Sequence, residues 1–175
     1  IQEGEKLTVE QLLNVLLIPS ANDAAIVLAE HVSGSVDEFA KLMNEKAKEI
    51  GCKNTHFVNP NGIHNKSHVS TSYDLALMTQ YAMKIDTFRK IIQKTQYTLP
   101  ATNKYKKADR KFTTTNDLLV KNTSNSKSNY YYPNAIGVKT GYTGEAGNCL
   151  VSAARKDGME VIAVVLGAGF TDEGL

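Results

Sequence analysis

Two short stretches carry side chains from which chemistry could be built. They are Ser20-Ala21-Asn22, just after a proline, and Lys139-Thr140-Gly141, 119 residues further on. A serine hydroxyl both donates and accepts, an asparagine amide offers two N–H donors, and a lysine brings a compact positive charge. Together such groups can relay a proton, hold a carbonyl and attract a carboxylate. Taken singly they are ordinary: Ser20 reads as a turn or N-cap serine, Asn22 as a helix cap, and Lys139 as a solvent-facing strand lysine. His56, His64 and His68 form another set, with one i, i+4 pair. Pro60-Asn61-Gly62 makes that segment a loop, however, and no neighbouring Cys or Glu completes a zinc set. These histidines read as surface or loop-anchoring residues, and neither a metal nor a cofactor is expected. Cys52 and Cys149 are too few for a disulfide framework and read as unpaired thiols.

The elements that must position these residues change character along the chain. Residues 1–95 read as mostly helical. Thr8 and Gln11 have capping-box spacing, and Val9, Leu12, Leu13, Leu16 and Leu17 keep the helical period until Pro19 stops it. Asn22 to Val32 is apolar nearly all round, which predicts a central helix. Ser35 and Glu38 predict a second capping box ahead of an amphipathic helix ending at Gly51. Lys53 to Val69 is a loop built on Asn59-Pro60-Asn61-Gly62 turn chemistry. Thr71 and Asp74 start a fourth helix through Met83, and Asp86 caps a short fifth. Residues 96–175 read as mostly strands: Gln96 to Leu99, Ala135 to Tyr142, Asn148 to Lys156 and Met159 to Gly167. Asp157-Gly158 marks a two-residue hairpin turn, and Thr123 to Asn129 a polar, low-complexity loop. Helices followed by strands predict an α+β fold, a helical cluster packed on an antiparallel sheet. Ser20 and Asn22 then lie in a tight interhelical connection, and Lys139 on an apolar strand.

Composition narrows the classes. Hydrophobic residues make up 42% and charged residues 22%, which excludes disorder, collagen and coiled coil. Of the 20 basic residues 17 are lysine, and the net charge is only +2, so nucleic acid is not indicated as a partner. Lys104, Lys106, Lys107, Arg110 and Lys111 read as a solvated loop or strand face. No apolar run approaches the roughly 20 residues that span a bilayer.

Ser-x-Asn in an interhelical turn, followed by Lys-Thr-Gly on a strand, resembles the serine penicillin-recognising enzymes. Their signature set is Ser-x-x-Lys, Ser-x-Asn and Lys-Thr-Gly. Leu17-Ile18-Pro19-Ser20-Ala21-Asn22-Asp23-Ala24-Ala25, Phe57-Val58-Asn59-Pro60-Asn61-Gly62 and Ser72-Tyr73-Asp74-Leu75-Ala76 extend the likeness. So do Val138-Lys139-Thr140-Gly141-Tyr142-Thr143 and Gly147-Asn148-Cys149-Leu150-Val151. The chain thereby resembles low-molecular-weight penicillin-binding proteins of the D-alanyl-D-alanine carboxypeptidase type over nearly its whole length. The resemblance implies a partial β-lactamase/transpeptidase-like fold, with residues 1–175 a partial transpeptidase-like catalytic domain. It implies acyl transfer on peptidoglycan stem peptides ending in D-Ala-D-Ala, and binding of β-lactam antibiotics. Ser20 would relay a proton to the leaving amine, Asn22 would bond a substrate carbonyl, and Lys139 and Thr140 would hold the terminal carboxylate. Gly141 would let the substrate backbone lie along the strand edge, and the backbone N–H of Tyr142 would be one of two oxyanion-hole donors.

The nucleophile motif is missing from its place. Only 19 residues precede Ser20, and none is serine. Ser124-Asn125-Ser126-Lys127 matches literally but falls after the second motif, in a polar loop. The chain therefore reads as a fragment beginning after the catalytic serine and its lysine, inactive alone. Its parent is expected outside the cytoplasm, in the cell envelope or secreted, with a signal peptide in the missing N-terminal part and membrane association left open. A non-catalytic module that binds cell-wall peptide is the main alternative. A serine β-lactamase is less favoured, because the second motif is Ser-Ala-Asn and no glutamate stands in a Glu-x-x-Leu-Asn context.

Overall fold

The computed structural model describes residues 1–121 and 130–169. The Ser124–Lys127 match, and with it the polar loop from Thr123 to Asn129, lies outside them.

Five α-helices precede all the strands among the described residues: α1 Val9–Leu17, α2 Asn22–Ser33, α3 Val36–Ile50, α4 Ser72–Ala82 and α5 Asp86–Ile92. The α1 capping box forms as expected, Gln11 N–H donating to Thr8 Oγ1 (3.1 Å) and Thr8 N–H to Gln11 Oε1 (2.8 Å). Only half of the second box exists. Ser35 Oγ accepts from Glu38 N–H (3.2 Å), but the Glu38 carboxylate turns to Lys41 (2.6 Å) instead of back to the cap. Asp86 does not cap α5. Ile85 occupies the N-cap without a side-chain bond, and Asp86 sits in the first turn, where a negative charge suits the helix dipole. Among the described residues no helix is long and apolar enough to cross a membrane.

The strands form two sheets. β1 Gln96–Leu99 pairs antiparallel with β2 Arg110–Thr113. β3 Ala135–Thr143, β4 Gly147–Lys156 and β5 Met159–Ala168 form an antiparallel meander in that order. Asp157 and Gly158 both take positive φ (51° and 80°), as the two-residue turn requires. β2 was not anticipated, because its first two residues, Arg110 and Lys111, belong to the basic cluster. There Arg110 is half-buried; its guanidinium pairs with Glu5 and lies over the Tyr105 ring, 3.9 Å from the centroid.

Two cores result. Leu12, Val15, Ala24, Leu28 and Leu99 join α1 and α2 to the small hairpin. Met83, Ile92, Val138 and Ala153 join the end of α4 and α5 to the meander, with Leu17 of α1 packed against them. Helices α4 and α5 thus cover the three-stranded sheet, which is the expected α+β arrangement. Gly137 sets how closely α5 approaches β3. Its φ is +129°, and a Cβ there would lie 2.8 Å from Ile92 Cδ1. At the other edge of the sheet Arg89 of α5 grips Glu160 of β5 with two hydrogen bonds (3.0 and 2.6 Å), and Arg155 is a second partner (3.1 and 2.8 Å). The bonded Arg89 guanidinium holds the Glu160 carboxyl at about 2.

Candidate active site

α1 ends where Ile18 meets Pro19, since a residue before proline disfavours the helical region. The chain then reverses, with the Ala21 N–H donating to the Val15 carbonyl (3.2 Å). Ser20 takes φ +67°, a left-handed conformation that non-glycine residues pay to adopt. Ala21, not Ser20 or Asn22, is the N-cap of α2, and it makes no side-chain bond; Asn22 is the first helical residue. The capping readings of both residues are thereby replaced. Ser20 and Asn22 are exposed, and their side chains make no hydrogen bond to any described residue.

Lys139, Thr140, Gly141 and Tyr142 lie on β3, the edge strand of the meander, facing Val151, Leu150, Cys149 and Asn148 of β4. Lys139 is half-buried rather than solvent-facing. Among the described residues its Nζ donates only to the Thr140 carbonyl (3.0 Å), and burial pulls its pKa down to about 8. No carboxylate among the described residues pairs with it. The charge is therefore available to an anion from outside. Thr140 Oγ1 lies 2.5 Å from Thr115 Oγ1. A Cβ at Gly141 would meet only Cys149 Cβ, at an ordinary 3.7 Å, so internal packing does not demand glycine there. Tyr142 is 69% exposed.

Ser20, Asn22, Lys139, Thr140, Gly141 and Tyr142 all line one groove of about 610 Å³. Its opposite wall is the loop from Asn59 to Ile63, and Leu16 and Leu17 contribute apolar lining. A neighbouring cavity of about 650 Å³ shares Ser20, Thr140, Gly141 and Tyr142, and adds Thr115, Asn116 and Leu150.

The wall loop is organised by residues whose part was not legible as chemistry. Asp74, 1% exposed, accepts from Lys53 N–H (3.1 Å), Asn54 N–H (2.7 Å) and Thr55 Oγ1 (2.8 Å). Burial alone would raise its pKa, but the bonds from Asn54, Thr55 and Lys53 outweigh it and keep the carboxyl below its ordinary value. Asn44 brackets Phe57 with two bonds (2.7 and 2.8 Å). His56 and His68 anchor the loop. His56 Nδ1 bonds the Ser67 carbonyl (2.8 Å), and His68 Nδ1 accepts from Val58 N–H (3.2 Å). His64 instead points to Glu145, 4.0 Å away. Both cysteines are free thiols; Cys149 lines the groove.

Sequence reasoning also missed Thr115 and Asn116. Asn116 is 3% exposed, its Oδ1 accepts from Leu118 N–H (3.1 Å), and its Nδ2 has no partner among the described residues. A Thr-rich stretch after a short strand gives no sign that it reaches the cavity beside the groove.

Residues 1–169 match the family described as D-alanyl-D-alanine carboxypeptidase. The chain is 41% identical over 174 residues to the D-alanyl-D-alanine carboxypeptidase DacF of Bacillus subtilis, covering 99% of this chain and 41% of that protein. It is 40% identical to a D-alanyl-D-alanine carboxypeptidase of Streptomyces, covering 93% of this chain and 55% of that protein. Among solved structures, a Streptomyces DD-transpeptidase superposes with a TM-score of 0.86 at 37% identity, covering 97% of this chain and 64% of its own. Penicillin-binding protein D2 of Listeria monocytogenes, in an ampicillin-bound form, gives 0.75 at 35% identity, covering 93% and 60%. The fold is thus transpeptidase-like, and the chain spans roughly half the length of the relatives it matches.

Proposed function

The chain belongs to the D-alanyl-D-alanine carboxypeptidase family, and from that premise we propose that it forms the substrate-holding part of a serine-type D-Ala-D-Ala carboxypeptidase. The substrate is a peptidoglycan stem peptide ending in D-Ala-D-Ala, and β-lactams compete for the same groove. One observation carries this reading: two motifs 119 residues apart in the chain, Ser20-Ala21-Asn22 and Lys139-Thr140-Gly141, line a single groove.

Each side chain then has a task. The unpaired charge of Lys139 attracts the terminal carboxylate, and the Thr140 hydroxyl donates to it. The edge of β3 that no described strand pairs accepts the peptide as an added strand, and the bare Cα of Gly141 leaves it room. Asn22 offers its amide to a substrate carbonyl. The Ser20 hydroxyl, with no hydrogen bond to any described residue, can pass a proton to the departing D-alanine. The attacking serine and its base come from a Ser-x-x-Lys outside these 175 residues, and the Tyr142 N–H supplies one of the two oxyanion donors. A substrate in the cell wall places the parent outside the cytoplasm. A non-catalytic peptide-binding module is the second reading, since the groove residues Asn22, Lys139 and Thr140 can hold a peptide without a nucleophile.

The test is made on the longer parent. It should be acylated by a fluorescent penicillin and should release D-alanine from a D-Ala-D-Ala peptide. Lys139→Ala should lower turnover by roughly 10² or more, the scale of a positioned electrostatic group. Peptide binding without acylation or D-alanine release would select the binding module. A K139A variant within threefold of the unmutated enzyme would remove the role given to Lys139.

A further inference from the structure

We propose that Thr115 is a further positioning residue of this site, aiming the Thr140 hydroxyl at a bound carboxylate while tying the strand motif to the serine turn. The inference rests on the reading of the groove as a site for a peptide with a free terminal carboxylate.

Thr115 touches both halves of the site. Its backbone N–H donates to the Ile18 carbonyl (3.3 Å), two residues before Ser20. Its side-chain hydroxyl lies 2.5 Å from that of Thr140. The backbone around it is held on both sides. Thr114 N–H donates to the Thr95 carbonyl (2.9 Å), and the next residue, Asn116, is 3% exposed and bonded through its N–H to Thr114 Oγ1 (3.2 Å). Thr115 itself is exposed, so its hydroxyl is not needed to fill a core.

A pair of hydroxyls shares one hydrogen bond, and each hydroxyl has a single proton. If Thr140 donates to Thr115, its proton is turned away from any ligand. If Thr115 donates to Thr140, Thr140 keeps its O–H for the groove. An anion needs donors, so a carboxylate beside Lys139 selects the second arrangement. In that chain of hydrogen bonds the accepting Thr140 becomes a stronger donor. Thr115 thus fixes both the direction and the strength of the Thr140 contact, and acts on substrate only through it.

The experiment compares, in the longer parent enzyme, a D-Ala-D-Ala peptide with the same peptide carrying a C-terminal amide. Thr115→Val keeps the shape and removes the hydroxyl. It should raise KM for the carboxylate peptide roughly three- to tenfold, the worth of one hydrogen bond, with kcat within twofold and the amide peptide unchanged. Thr115→Ser should restore the original preference, and Thr115→Ala should lose it as Val does. Equal losses on both peptides, no change in either, or a serine variant as impaired as valine would overturn the proposal. Those outcomes leave the carboxypeptidase reading standing when the unmutated parent is active. A parent neither acylated by penicillin nor releasing D-alanine would instead remove that reading, and this inference with it.

Discussion

Ser20 and Asn22 are placed by a break in secondary structure, whereas Lys139, Thr140 and Gly141 are placed by its continuation. The turn half sits between two helices whose buried faces are Leu12, Val15, Ala24 and Leu28, and Ser20 stands in a left-handed conformation with no side-chain bond to the described residues. The strand half runs inside a nine-residue strand, over Val138 and Ala153, with β4 paired along its length. A turn presents a side chain freely at the cost of backbone strain. A strand edge presents a row of side chains and backbone groups in register, with little strain of its own. The proposed site, which would move a proton and also hold an extended peptide, uses one of each.

The largest break concerns what neither half contains. The 175-residue chain has no serine ahead of Ser20, so no nucleophile stands where the family pattern requires it. Losing an activated nucleophile removes many orders of magnitude of rate. The isolated chain should show no D-Ala-D-Ala turnover and no stable penicillin adduct by mass spectrometry. A mass increase of one antibiotic mapped to Ser20 or Ser124 would overturn the division of labour drawn above.

The strand half is next, through its support. Gly137→Ala places a Cβ 2.8 Å from Ile92 Cδ1 at a φ that side chains rarely adopt. The combined overpacking and backbone penalty should cost about 3 kcal/mol. Because Val138 and Ile92 share a core, Lys139 should be displaced with it. Denaturant unfolding measures the loss. A cost below about 1 kcal/mol would show that α5 does not fix the strand.

A smaller effect tests the ionic clamp beneath the same sheet. Glu160→Gln weakens the bonds from Arg89 and Arg155 and should cost about 1–2 kcal/mol near neutral pH. The folded carboxyl sits at about 2, below its ordinary 4.5, so the bonded charge stabilises fully above 4.5. That contribution is lost as pH falls from 4.5 towards 2, where the group protonates in the folded state too. The difference between the two proteins should therefore close over that window. A difference that stays constant down to pH 2 would assign the loss to packing rather than charge.

What the sequence made legible follows the same division. The helices were readable because their signals are local: Thr8 with Gln11, Pro19 after Leu17, Gly51 after Ile50. Both motifs were readable because each is contiguous. β2 was not, since Arg110-Lys111-Phe112-Thr113 looks like a solvated basic run until Arg110 meets Glu5 and Tyr105 from distant parts of the chain. Asp86 was misplaced by one residue because its charge serves the helix start without capping it. Asp74 could be read only as the start of a helix, although its carboxylate ties down Lys53, Asn54 and Thr55, where the loop that walls the groove begins. Thr115 had no signal at all. Its bonds run to Ile18 and Thr140, contacts that exist only once the two halves are brought together.

The smallest effect concerns the turn half. At φ +67° a residue with a Cβ pays roughly 1–2 kcal/mol that glycine does not. Glycine in turn frees the unfolded chain, which returns about 0.4–1 kcal/mol of that gain. Ser20→Gly should therefore gain up to about 1 kcal/mol over the unmutated chain, while Ser20→Ala keeps the strain and lacks the hydroxyl. The clean comparison is between these two variants, because both lack Oγ and differ only in backbone freedom. Glycine should be the more stable by about 1 kcal/mol, or about 2–4 °C in Tm for a chain of this size. In the longer parent both should lose D-alanine release to the same extent, since proton relay needs the oxygen and not the strain. Equal stability of the two variants would mean that the turn holds Ser20 without cost. Better activity in Ser20→Gly than in Ser20→Ala would show that the conformation of the turn, as well as its hydroxyl, limits the chemistry.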